Sequence, residues 1–146
     1  MLNTVESFSE LEKSRNPVRE FDPADFTILL VDDDFDQRSL IEFVIAQAGY
    51  KVISVGDAME CLNVMSRRYV DLVVCDIMLP EINGIEFVQR VKAMHMIPKD
   101  STLPVILITA LQEGREFDAQ KAGADNFCLK RNAHKNLANQ IQELLA

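Results

Sequence analysis

Four places in this 146-residue chain put a chemically capable side chain directly after a short apolar run. Asp32, Asp33 and Asp34 follow Ile28-Leu29-Leu30-Val31, and Asp76 follows Leu72-Val73-Val74-Cys75. Thr109 follows Val105-Ile106-Leu107-Ile108, and Lys130 follows Phe127-Cys128-Leu129. Singly, each has an ordinary explanation. Asp after a strand is a common turn former or helix cap, and a lone Thr or Lys there means little. Gathered in one place, three acids, a hydroxyl and an ammonium carry net negative charge. Carboxylates that close push one another towards protonation unless a cation intervenes. An oxygen-only ligand set suits Mg²⁺, which binds through a few carboxylates plus substrate phosphate. A phosphoryl group is then the natural substrate, because metal and ammonium offset charge on its oxygens. An Asp carboxylate can serve as its covalent acceptor. Asp34 or Asp36 reads as the N-cap of the following helix and is assigned no chemistry.

A parallel sheet would bring these residues together at one edge. The apolar runs Thr27–Val31, Lys51–Val55, Leu72–Cys75, Val105–Ile108 and Asn126–Leu129 are rich in Val, Ile and Leu, as strands buried on both faces should be. Helical spacing appears between them. Ile41, Val44, Ile45 and Ala48 mark a first helix closed by Gly49. Ala58, Leu62 and Met65 mark a second, and Ile85, Val88 and Val91 a third. Phe117, Lys121 and Ala122 mark a shorter fourth, ended by Gly123. Leu137, Ile141, Leu144 and Leu145 mark the last, with Asn132 as a candidate N-cap. Strands alternating with helices predict an α/β fold: a doubly wound, five-stranded parallel sheet with helices on both faces. Such sheets bind ligands beyond the carboxyl ends of their strands, where strand order reverses.

Composition narrows the partners. Hydrophobic residues make up 48%, enough for one domain with its own core. A net charge of −8 argues against direct nucleic-acid binding. The three cysteines, Cys61, Cys75 and Cys128, are odd in number and lack CxxC spacing. They read as buried thiols in a reducing compartment rather than a disulfide or zinc framework. No window is long and apolar enough to span a membrane, and no basic-then-apolar signal opens the chain. A cytoplasmic protein without a membrane partner is therefore expected. Residues 1–25 read as an N-terminal extension. It is either a flexible tail or a short helix with Val5, Phe8 and Leu11 on one face. Residues 26–146 form the domain.

The stretches ILLVDDDFDQRSL, DIMLPEINGIEF, PVILITA and AGADNFCLK resemble the response-regulator receiver domain across nearly all of the chain beyond the extension. The resemblance implies the flavodoxin-like strand order 2-1-3-4-5. It implies that Asp76 is the phosphorylated residue, that Asp32 and Asp33 bind Mg²⁺ with it, and that the backbone carbonyl of Met78 completes the metal shell. It implies that Thr109 and Lys130 engage the phosphoryl group, and that Phe127 is the switch aromatic that moves with Thr109. Pro80, Asn83 and Gly84 shape the loop after Asp76. The implied function is a phosphorelay switch. It takes a phosphoryl group from the phosphohistidine of a histidine kinase or histidine phosphotransfer protein, and then engages a downstream protein partner or an output domain outside this chain. It is not an enzyme acting on other molecules, since it catalyses only its own phosphorylation and dephosphorylation.

The sequence departs from the family pattern in two places. Arg131 stands where a proline usually follows the Lys, often across a cis bond. Because a cis bond to a non-proline costs roughly 2.5–4 kcal/mol, this peptide is expected to be trans or strained. The segment Leu111–Ala122 is slightly shorter than the family norm. These departures favour an alternative, a receiver-like interaction module that works without phosphorylation. The intact acids, Thr109 and Lys130 oppose it. An Mg²⁺ phosphohydrolase would want a second Asp two residues beyond the nucleophile, where Met78 stands.

Overall fold

The computed structural model describes residues 20–94, 103–110, 120 and 123–146. Five parallel strands, β1 (Thr27–Val31), β2 (Lys51–Val55), β3 (Leu72–Asp76), β4 (Val105–Thr109) and β5 (Asn126–Leu129), form one sheet in the order β2-β1-β3-β4-β5. Four α-helices are described: α1 (Phe35–Gln47), α2 (Ala58–Arg67), α3 (Gly84–Met94) and α4 (Ala133–Leu145). The helix expected around Phe117–Ala122 lies outside the described residues. Among those residues, no helix is long and apolar enough to cross a membrane.

The unbroken apolar runs become strands because both faces of the sheet are covered. Successive side chains on a strand point to opposite faces. Leu29, Val31, Val73, Cys75, Val105 and Leu107 thus join Cys61, Phe87, Val88 and Val91 in one core layer. Ile28, Leu30, Leu72, Val74, Ile106 and Ile108 join Ile41, Ile45, Leu137 and Ile141 in the other. Each fully buried Leu or Ile contributes roughly 1.5–3 kcal/mol.

Helix boundaries follow local chemistry. Asp34 caps α1, its side chain accepting from Gln37 N at 2.9 Å. Gly49 ends that helix at φ +100°, a conformation that costs a glycine little. Asn132 occupies the cap position of α4 without a side-chain hydrogen bond. A 3-10 turn, Lys130–Asn132, leads directly into that helix, and Ala133 N donates to Lys130 O. The end of the extension lies against the domain. Phe21 stacks on Phe26 with ring centroids 5.0 Å apart and meets Tyr50 edge-on.

All three cysteines are free and buried. Burial pushes the thiol of Cys61 up to about 12 and that of Cys128 up to about 11, and holds Cys75 well above the usual range.

Candidate functional site

The carboxyl edge of the sheet collects the polar strand ends. Asp76 and Thr109 are the last residues of β3 and β4, so these strands run one residue further than the apolar runs alone indicated. Asp32 follows β1, its N–H donating to Val55 O of β2 at 3.2 Å. The register pairs Asp76 with Ile108 and Thr109 with Leu129, and Lys130 comes next in the chain. Among the described residues, the buried polar ones are Asp32, Asp76 and Thr109. All belong to this edge. Asp33 is exposed at its rim.

Ligand oxygens of Asp32, Asp33 and Asp76 lie within 4.8 Å of one another. Asp76 Oδ1 accepts from Met78 N at 3.0 Å, and Asp76 Oδ2 accepts from Lys130 Nζ at 2.8 Å. Asp32 Oδ1 accepts from Asp34 N at 3.0 Å, while Arg38 donates to the Asp32 carbonyl at 2.7 Å. Asp32 Oδ2 lies 2.7 Å from Lys130 Nζ, so this fully buried oxygen has that ammonium as counter-charge and no other hydrogen-bond donor among the described residues. A buried acceptor left in that state is suited to a cation, and an all-oxygen donor set favours a hard divalent one.

The electrostatics agree. Burial raises the carboxyl of Asp32 above its ordinary range, and the nearby Asp76 pushes the same way. Lys130 only partly offsets them. For Lys130 burial alone would lower the ammonium, yet Asp32 and Asp76 together outweigh it and hold the group above its ordinary value.

The loop after Asp76 is built on close backbone contact. Met78 and Asn83 form an isolated antiparallel bridge, and Asn83 Oδ1 accepts from Ile85 N at 2.7 Å. Gly84 donates to Ile77 O at 2.7 Å. A Cβ on Gly84 would sit 2.5 Å from Ile77 Cα and 2.6 Å from Asp76 O, so glycine is what fits against the backbone of Asp76 and Ile77. Met78 exposes its side chain. Phe127 is half-buried and packs on the core layer that holds Leu107 and Phe87. No described peptide bond is cis, so the Lys130–Arg131 bond is trans and Lys130 still reaches both acids. Leu111–Ala122 lies outside the described residues except Gln120.

The sequence reading missed Gln37. Its side-chain oxygen accepts a hydrogen bond from Lys130 Nζ. The available signal was a polar residue one helical turn beyond the Asp cluster.

Comparison with known proteins places this edge in a family. Residues 28–142 match the response regulator receiver domain family. The chain is 32% identical over 119 residues to a probable transcriptional regulator, ycf27, of Porphyridium aerugineum, covering 81% of this chain and 47% of that protein. It thus spans about half the length of such curated relatives. Its fold matches that of the chemotaxis response regulator CheY4 of Vibrio cholerae (TM-score 0.71, 25% identity, 82% of this chain and 98% of that one). It also matches a BeF3-activated DrrB receiver domain (TM-score 0.70, 26% identity, 82% and 97%).

Proposed function

The chain belongs to the response-regulator receiver domain family, and from that premise we propose that it is a phosphoryl-accepting switch with Asp76 as the acceptor. The observation that carries this reading is the buried Asp76 carboxylate, which lies 2.8 Å from the Lys130 ammonium and within 4.8 Å of the oxygens of Asp32 and Asp33. Receiver domains act as signalling switches, not as classical enzymes.

In the proposed reaction an Asp76 oxygen attacks the phosphorus of a phosphohistidine on a histidine kinase or histidine phosphotransfer protein. A P–O bond forms, the P–N bond breaks, and the imidazole leaves with the electron pair. Asp32, Asp33, Asp76 and the Met78 carbonyl would hold Mg²⁺, which supplies charge neutralisation for the phosphoryl oxygens. Lys130, at the end of β5 on the same edge, offsets a further share of that charge, and the Thr109 hydroxyl donates a hydrogen bond to the phosphoryl group. The pull on Thr109 is relayed to Phe127 on β5 and alters the face that a downstream partner reads.

Curated relatives about twice this length are transcriptional regulators. Any such output would lie in a partner or a further domain, because the net charge of −8 disfavours direct nucleic-acid contact by this chain. We place the protein in the cytoplasm. The receiver unit is residues 26–146 and the extension is residues 1–25, whose last residues pack on it.

Incubation with Mg²⁺ and acetyl phosphate, followed by intact mass and peptide mapping, tests the reading. A phosphoryl adduct on Asp76 that is absent in a folded Asp76→Asn variant is expected. An adduct formed at the wild-type rate on Asp32 or Asp33 in that variant would overturn it.

A further inference from the structure

Asp34-x-x-Gln37 has the pattern of a capping box, in which the side chain of the third helical residue turns back to the N–H of the cap. Half of that box is missing here. Asp34 Oδ1 accepts from Gln37 N at 2.9 Å, but the Asp34 N–H is already donated to Asp32 Oδ1 at 3.0 Å. The Gln37 amide is left without its usual local duty. It turns into the site instead, where its Oε1 accepts from Lys130 Nζ.

An ammonium has three N–H donors. Lys130 makes hydrogen bonds to Asp76 Oδ2 and Gln37 Oε1, and a charge contact with Asp32 Oδ2. If Asp76 is the phosphoacceptor, as proposed above, these partners differ in what the reaction does to them. Asp76 exchanges a carboxylate charge for an acyl phosphate, and Asp32 is a metal-binding candidate. Gln37 is neutral and keeps its acceptor throughout.

We propose that Gln37 is a positioning residue for Lys130: a constant hydrogen bond from α1 that keeps the ammonium aimed at Asp76 while its two carboxylate partners change state. The need for such an anchor follows from the local backbone. Lys130 opens a 3-10 turn and is followed by Arg131 across a trans bond. No proline ring restrains this point of the chain.

Gln37→Met keeps the side-chain length and removes the acceptor, at a half-buried position on the first turn of α1. In metal-free protein, ¹⁵N spectra of lysine ammonium groups should show a restrained Lys130 signal, identified by its loss in Lys130→Ala. Gln37→Met should average that signal into the fast-exchanging lysines. In phosphorylation by acetyl phosphate with Mg²⁺, Gln37→Met should lower the maximal rate about ten-fold, the effect of losing one hydrogen bond to a charged group. The half-saturating donor concentration should stay unchanged. Added to Lys130→Ala, it should cause no further loss, because Gln37 acts only through that ammonium. A Gln37→Met protein that reacts at full rate, retains the restrained signal, or adds its loss to that of Lys130→Ala would overturn the proposal. A wild-type protein that never modifies Asp76 would sink the phosphoacceptor reading instead, and the ammonium spectra would still decide the anchor.

Discussion

Lys130→Met tests how the site balances its charges. Methionine keeps an unbranched stem and removes the ammonium. That ammonium is 9% exposed, against carboxylates that are 0% (Asp32) and 6% (Asp76) exposed. Removing one side of a desolvated pair costs about 3–5 kcal/mol. The variant has an escape that sets a ceiling. Asp32, already raised above 3.8 by burial, can bind a proton. For a carboxyl of ordinary affinity that costs about 4 kcal/mol at pH 7 and about 1.6 kcal/mol at pH 5. In the variant the folded state then holds a proton that the unfolded chain has released, so its stability relative to wild type rises as pH falls. Urea unfolding in chelator should show a deficit of about 4 kcal/mol at pH 7, shrinking to about 1.6 kcal/mol at pH 5. A loss under about 1 kcal/mol, typical of solvated pairs, or a loss that does not change with pH would refute the reasoning.

Three further outcomes are expected. Millimolar Mg²⁺ should raise the melting temperature above that in NaCl of matched ionic strength, and Asp32→Asn should cancel the difference; identical melts would remove the metal site. Gly84→Ala should cost about 1–3 kcal/mol by overpacking and slow Asp76 phosphorylation, because the new Cβ meets the Asp76 carbonyl at 2.6 Å; wild-type stability would show that the loop gives way freely. Burial of Cys61 raises its thiol from 9.0 to about 12, so above pH 9 the unfolded chain loses a proton that the folded one keeps. Stability should then fall with rising pH by up to about 1.4 kcal/mol per unit for this thiol, and Cys61→Ala should lessen that slope; an unchanged slope would refute it.

The strands were legible because burial on both faces leaves uninterrupted apolar runs, and Asp76, Thr109 and Lys130 mark where those runs end. The cluster of Asp32, Asp33 and Asp76 was legible because each acid stands at the end of an apolar run, and parallel strands bring those ends together. α1 shows where hydropathy misleads. Ile41 and Ile45 are buried as their spacing predicts, yet Phe35, Leu40 and Phe43 are exposed. Gln37 was hidden by its own local pattern: D-x-x-Q reads as a cap, and only the tertiary contact of Asp34 N with Asp32 frees the amide for Lys130. Gly84 read as a turn former, whereas its necessity comes from the backbone of Asp76 and Ile77, which sequence spacing does not reveal.

The separation of 54 residues between Asp76 and Lys130 has a consequence during synthesis. A ribosome adding about 5–20 residues per second leaves roughly 3–10 seconds between making the acid and making its counter-charge. Throughout that interval a nascent chain that has paired β1 with β3 holds Asp32 and Asp76 together with no ammonium. When β4 emerges, its apolar edge also lacks a partner. β5 resolves both problems in one docking event, because Asn126–Leu129 covers β4 and the next residue is Lys130. A chain released just after Thr109 would expose an unpaired apolar strand beside uncompensated acids, a state suited to chaperone capture and poorly suited to stable folding.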